Sequence, residues 1–285
     1  MASYTTFSIL LLLIGLTSCY KPVILFHGIL SGSENMVLLE ETIKLFHPGT
    51  KVYNCGKFPY WNSLESSWRQ VRELKKYLEE INALHHEGVH FIGYSQGGLL
   101  GRAAIQSYPQ HNIKNFISLS SPQAGQYGDS FLRLIFPNLV AKEAFELFYS
   151  RIGQHTSIGG YWNDPFNQEL YFKFSKFLPY INNEIFSLNS TNFKNGISKL
   201  NKMILIGGPN DGVITPWESS HFGFYNKSLS VVPLYERDIY INDEIGLKTL
   251  DKAGKLILIA KSHVNHLCWH TNPWIIREVI LPHLD

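Results

Sequence analysis

Val89-His90-Phe91-Ile92-Gly93-Tyr94-Ser95-Gln96-Gly97-Gly98-Leu99 is the stretch whose reading decides the fold. Val89 to Tyr94 is a short, nearly continuous apolar run, the pattern of a strand covered on both faces in a parallel sheet. A helical stretch follows from Gln96 to Tyr108 and stops before Pro109. Between them Gly93-Tyr94-Ser95-Gln96-Gly97 matches G-x-S-x-G, which sets a serine on a sharp strand-to-helix turn. Small residues flank such a serine because its backbone is strained and its neighbours pack closely. The pentapeptide alone is a weak signal, and a glycine-rich turn opening a helix would look similar. The strand before it and the helix after it make Ser95 a candidate nucleophile. The same turn puts the Gln96 N–H at a helix N-terminus, where it can donate to a developing oxyanion.

Working upstream, Pro22 to Phe26 reads as a second buried strand ending at His27-Gly28. The loop after it offers the Ile29 N–H as the other candidate oxyanion donor. His27 reads as a loop-shaping residue, too early in the chain to be a base. Helix periodicity covers roughly Asn35 to Phe46, and Lys51-Val52-Tyr53 suggests a short strand. Leu64, Trp68, Val71, Leu74, Leu78 and Ile81 recur every three or four positions, predicting a long amphipathic helix over Leu64–Leu84. Downstream, Ile113–Leu119, Lys202–Ile206 and Lys255–Ala260 read as strands, and a helix over Pro273 to about Ile280 closes the chain.

Strands alternating with helices predict βαβ units and a mostly parallel central sheet flanked by helices. With the elbow, that is an α/β-hydrolase fold. From about residue 126 to 197 no strand signal is clear, so residues 20–285 read as one domain carrying a largely helical cap insertion. That insertion holds 16 of the chain's 39 aromatics, among them Phe131, Phe136, Phe145, Phe148, Phe172, Phe174 and Phe177. Such a density fits an apolar groove for a hydrophobic ligand, where each buried methylene contributes about 0.8 kcal/mol. It fits equally a cap that buries its own core, and for any one phenylalanine the core is the better expectation.

In this fold the nucleophile is followed along the chain by an acid and then a histidine. Asp211 is the only carboxylate in Gly207–Gly212, the loop after a late strand. It is the candidate acid, although Asn210-Asp211-Gly212 is also ordinary turn chemistry. The loop after the last strand holds His263, His266 and His270, and spacing alone leaves the base open among them. Cys268 is badly placed to attack at the elbow, which argues against a cysteine hydrolase.

Hydrophobic residues make up 45% and charged residues 17% of the 285, and this balance excludes a disordered chain. A net charge of +2 gives no strong pull on nucleic acid. The apolar run Phe7–Leu16 is half the roughly 20 residues a membrane span needs. With Thr17 and Ser18 after it, residues 1–19 read as a signal peptide cleaved near Ser18 or Cys19, although no basic residue precedes the run. A short anchor or a lipoprotein box at Cys19 are the alternatives. The expected destination is secretion or the lysosome. Of three cysteines only Cys55 and Cys268 could form an internal disulfide, which sequence does not establish. Asn189 and Asn226 head glycosylation sequons, so surface positions are expected there. No metal-ligand cluster or nucleotide-binding loop is legible, so no cofactor and no metal are expected.

Taken together these runs resemble the palmitoyl-protein thioesterase family, most closely its type 2 branch. The matching segments are Lys21–Ile24 with His27-Gly28, Gly88–His90, Tyr94–Leu99, Phe116–Gln123 with Gly125–Gly128, Leu205–Pro209, Asp211–Trp217, Phe222–Tyr225, Gly246–Leu250 and Trp269-His270. The resemblance implies Ser95 as nucleophile, Asp211 as acid and His266 as base, with oxyanion donors at Ile29 and Gln96. It also implies hydrolysis of long-chain fatty-acyl thioesters through an acyl-enzyme, with a fatty-acyl thioester as the partner molecule. The chain departs from the type 2 branch in carrying Gly93 where the relative has cysteine, and in lacking most of its disulfide cysteines. Two alternative functions remain at this level. One is a secreted lipase or carboxylesterase acting on oxygen esters, the other a non-catalytic lipid-binding protein of the same fold.

Overall fold

A computed structural model describes residues 20–285; the predicted signal peptide, residues 1–19, lies outside the described residues. Six strands form one sheet: β1 (Val23–Phe26), β2 (Val52–Cys55), β3 (Val89–Tyr94), β4 (Ile113–Leu119), β5 (Lys202–Gly207) and β8 (Leu256–Ala260). Their order is β2-β1-β3-β4-β5-β8, and every pairing is parallel. β3 and β4 are central, and every residue of the two is buried except Lys114, which is half-buried. Successive residues of each strand face opposite sides. On one face Ile24, Phe26, Phe91, Phe116 and Leu205 pack with α2 (Ser67–Leu84), α3 (Gln96–Gln106) and the region after β4. On the other, Val23, Leu25, Ile92, Ile117 and Ile204 pack with Leu39 and Ile43 of α1 (Val37–Phe46) and with Trp269, Ile275, Ile276 and Ile280.

The predicted strands and helices are present, with shifted ends. Tyr60–Leu64 is a short 3₁₀ turn, so the amphipathic helix starts at Ser67 rather than Leu64. Val71, Leu74, Leu78 and Ile81 are its buried stripe, while Trp68 is half-buried. Asn35 likewise lies in a 3₁₀ turn, Ser33–Met36, and α1 begins after it. The closing helix is one α turn, Pro273–Ile275, widening to a π turn over Ile276–Ile280. An antiparallel pair, β6 (Phe224–Tyr225) with β7 (Val231–Val232), went unpredicted because two-residue strands leave no periodicity to read. Cys55 and Cys268 are both free.

Between β4 and β5 the chain makes six short helices and no named strand among the described residues. They are α4 (Asp129–Ile135), α5 (Ala144–Phe148), α6 (Ser157–Tyr161), α7 (Gln168–Phe174), α8 (Leu178–Ile181) and α9 (Ser190–Ser198). Phe131, Phe148, Tyr161, Trp162 and Phe177 are buried in the core, whereas Phe172 and Phe174 are exposed. Arg102 of α3 pins this region down. It is fully buried, donating to the Gln123 side chain (2.6 Å), the Asn182 side chain (2.9 Å), Gln106 (3.1 Å) and the carbonyls of Gln123 (3.1 Å) and Ile181 (3.2 Å).

Replacing Arg102 with leucine would leave these acceptors buried and unpaired. Arg102→Leu should therefore lose about 3 kcal/mol of stability or more, read as a lower midpoint in urea unfolding.

Candidate active site

The serine at the elbow sits where the chain turns from β3 into α3. Its backbone is left-handed (φ 54°, ψ −128°), a conformation that costs a non-glycine residue energy and persists only when its surroundings enforce it. The Ser95 N–H donates to the Leu119 carbonyl at 2.8 Å, which ties the turn to β4. A Cβ on Gly93 would come within 2.5 Å of the Gly98 Cα, and one on Gly97 would collide with the His27 carbonyl. The glycines of the motif are thus required by close backbone approach.

Three chain segments converge here. His266 Nε2 lies 2.9 Å from Ser95 Oγ, and His266 Nδ1 lies 2.8 Å from Asp211 Oδ2. Because the carboxylate can only accept, neutral His266 carries its proton on Nδ1 and accepts the Ser95 hydroxyl at Nε2. Ser95, Asp211 and His266 are each at most 7% exposed. His263 is exposed, with only its backbone N–H engaged, on the Asn210 side chain. Of the three candidate histidines, His266 alone hydrogen-bonds Ser95 and Asp211.

Sequence reasoning missed the groups that hold Asp211. Asp211 Oδ2 also accepts from Ser120 Oγ (2.6 Å) and Trp269 Nε1 (2.7 Å), and Oδ1 accepts from the N–H groups of Val213 (3.0 Å) and Ile214 (2.7 Å). Burial by itself would raise the Asp211 pKa. The hydrogen bond and charge of His266, with the Ser120 and Ile214 donors, outweigh it and hold the carboxyl below its ordinary value. Ser120 and Trp269 stood in motif runs, but nothing in their spacing announced a shared target. The His266 loop is anchored twice more, by its N–H to the Asp211 carbonyl (2.9 Å) and by its carbonyl to the Tyr94 hydroxyl (3.0 Å).

The Ile29 and Gln96 amides, predicted as oxyanion donors, have no hydrogen-bond acceptor among the described residues, whereas the neighbouring Leu30 N–H is taken by Ser63 Oγ at 2.7 Å. His27 is buried between the carbonyls of Gly28 (2.8 Å) and Lys57 (3.0 Å), and burial lowers its pKa. It braces the Ile29 loop, as expected. Ser95 and His266 open into a cavity of about 490 Å³. Phe131 and Ile135 of α4, with Val213 and Leu267, give it apolar walls; Tyr94, His270 and Thr271 complete it. Among the described residues no group of histidine, cysteine or carboxylate side chains is arranged to hold a metal, and no helix is long and apolar enough to cross a membrane.

A six-stranded parallel sheet, a left-handed serine at its third strand and helices on both faces define an α/β hydrolase. A solved lipase B from Aspergillus fumigatus shares the fold (TM-score 0.50, 14% identity, 90% of this chain and 50% of that one). Beyond the fold, residues 22–266 match the family model described as palmitoyl protein thioesterase, and the chain belongs to that family. It is 62% identical to the "Lysosomal thioesterase PPT2 homolog" of Drosophila melanogaster, over 95% of this chain and 94% of that one. It is 41% identical to human "Lysosomal thioesterase PPT2", over 93% and 88%.

Removing Ser120 Oγ takes one donor from the carboxylate and raises the Asp211 pKa toward the ordinary value. A carboxyl with a depressed folded-state pKa stabilises the fold above its unfolded pKa, about 3.9, and loses that contribution as pH falls through the folded value. Ser120→Ala should therefore begin to unfold at higher pH than the unmodified chain in an acid titration followed by circular dichroism.

Proposed function

We propose that this chain hydrolyses long-chain fatty-acyl thioesters, S-palmitoyl groups or palmitoyl-CoA, through Ser95, His266 and Asp211. The hydrogen-bonded line from Asp211 through His266 to Ser95 supports the mechanism, and family membership supports the substrate. His266 takes the Ser95 proton as Ser95 Oγ attacks the acyl carbonyl. The Ile29 and Gln96 N–H groups receive the oxyanion. The C–S bond breaks, the proton on His266 Nε2 passes to the leaving sulfur, and the acyl-enzyme remains. Water, deprotonated by His266, then releases the fatty acid and restores Ser95. Asp211 stays ionised and holds the imidazole in the productive tautomer.

A thiolate leaves with less help from a general acid than an alkoxide, so the same centre would also admit oxygen esters. The carrier alternative is disfavoured by an elbow whose strain serves no purpose in passive binding. The acyl chain is assigned to the wall of Phe131, Ile135 and Val213. Residues 126–197 act as the cap, α4 being its contribution to the cavity. We further assign the chain to the secretory route and the lysosome, in line with the names of its relatives. N-glycans are assigned to Asn189 and Asn226, both exposed; in Asn226 the side-chain oxygen accepts from Ser228 and Ser230, leaving Nδ2 for the sugar.

Ser95→Ala should lower kcat on palmitoyl-CoA by at least about 10³-fold and abolish labelling by a fluorophosphonate probe, with the circular dichroism spectrum unchanged. Near-normal turnover by this variant would overturn the assignment.

A further inference from the structure

The cavity holds a second imidazole that the mechanism does not use. His270 follows His266 by four positions, is 3% exposed and lines the same cavity. Its ring packs on Tyr94 with centroids 4.1 Å apart, and the His266 ring packs on the same tyrosine at 5.1 Å. No group among the described residues hydrogen-bonds to either ring nitrogen of His270, and of the two only Nδ1 is sealed from solvent. Burial, and next to it the neighbouring His266, pull its pKa down to about 4, so the ring is neutral in any assay near pH 7. A neutral imidazole carries one N–H. A proton on sealed Nδ1 would be a buried donor with no acceptor, and orphaned buried N–H groups are rarer in proteins than under-satisfied buried acceptors. The proton therefore belongs on Nε2, the unsealed nitrogen of a ring that lines the cavity.

The chemistry at His266 fixes which part of a substrate meets that N–H. His266 Nε2 delivers its proton to the leaving sulfur, so the thiol half of the substrate lies toward the histidines. The acyl half runs to the apolar wall. Thiols that carry fatty-acyl groups as cysteinyl or pantetheine-like units have an amide carbonyl a few bonds from sulfur. We propose that His270 is a specificity residue whose Nε2–H hydrogen-bonds the amide carbonyl of the departing thiol, selecting fatty-acyl thioesters of amide-bearing thiols over simple alkyl thioesters. This rests on the thioesterase reading above. It assigns His270 no proton transfer, since a ring so weakly basic donates a hydrogen bond and keeps its proton.

The test uses decanoyl thioesters of N-acetylcysteamine, which has the amide, and of pentanethiol, which lacks it. They are compared on the unmodified protein, His270→Phe and His270→Gln. The unmodified protein should prefer the amide-bearing thioester. His270→Phe should lose about tenfold in kcat/KM on that thioester, the worth of one hydrogen bond, with little change on the pentanethiol one. His270→Gln, whose amide N–H extends to the place of Nε2, should recover much of the preference. The ratio between substrates is independent of the folded fraction, so a merely structural role would lower both rates alike. An equal loss on both thioesters, or no loss on either, overturns the proposal. An unmodified protein that is labelled at Ser95 yet turns over neither thioester overturns the thioesterase reading itself and the proposal with it.

Discussion

A negative charge buried at Asp211 is the constraint from which the rest of the centre is built. An ionised carboxylate taken out of water is tolerated only when it is paired and hydrogen-bonded. Here the donors come from three places in the chain: Ser120 beyond β4, the Val213 and Ile214 amides beyond β5, and His266 and Trp269 beyond β8. Satisfying one carboxylate therefore fixes three loops at the carboxyl ends of neighbouring strands. The position of His266 over Ser95 follows from that requirement. Rotating the imidazole away would break a bond to the acid and leave the charge less compensated, so the geometry is held in the absence of substrate.

The second constraint is steric. Ser95 is held in a left-handed backbone by the bond from its N–H to Leu119 and by glycines that let β3, α3 and the His27 loop approach one another. The strain presents Oγ and exposes the Gln96 N–H at the same point. On the other side His27, wedged between two carbonyls, shapes the loop that leaves the Ile29 N–H free. Electrostatics fixes His266 from one side and packing fixes Ser95 from the other.

These two constraints differ in how they write themselves into sequence. Backbone approach demands glycine, and burial on both faces favours a largely apolar run, so the elbow and the four inner strands could be read directly. A carboxylate's hydrogen-bond donors can be any residue with an N–H or O–H, at any separation. Ser120 and Trp269 therefore stood in recognisable runs without a legible role. His266 could not be separated from His263 and His270 by spacing; resemblance chose it, and its bonds to Asp211 and Ser95 distinguish it in space. The ends of α1 and α2 were blurred because 3₁₀ turns prolong helical periodicity without prolonging the helix. The cap's aromatic content was visible, but whether a given ring faces the core or the cavity depends on tertiary packing.

That last distinction bears on specificity. Of the seven cap phenylalanines singled out from sequence, Phe131 is the one on the cavity wall, beside Ile135 on the same short helix. Phe148 and Phe177 serve the core, and Phe172 and Phe174 face outward. The cap's apolar lining of the cavity is thus concentrated on α4, and contact of an acyl chain with it would depend on chain length while saying nothing about the atom that leaves. The triad is equally indifferent, since it would serve an ester or a thioester. Discrimination of the leaving group has to arise from polar atoms on the histidine side of Ser95. With His266 committed to Asp211 and Ser95, the nitrogen of His270 is the imidazole group there that remains free to make it.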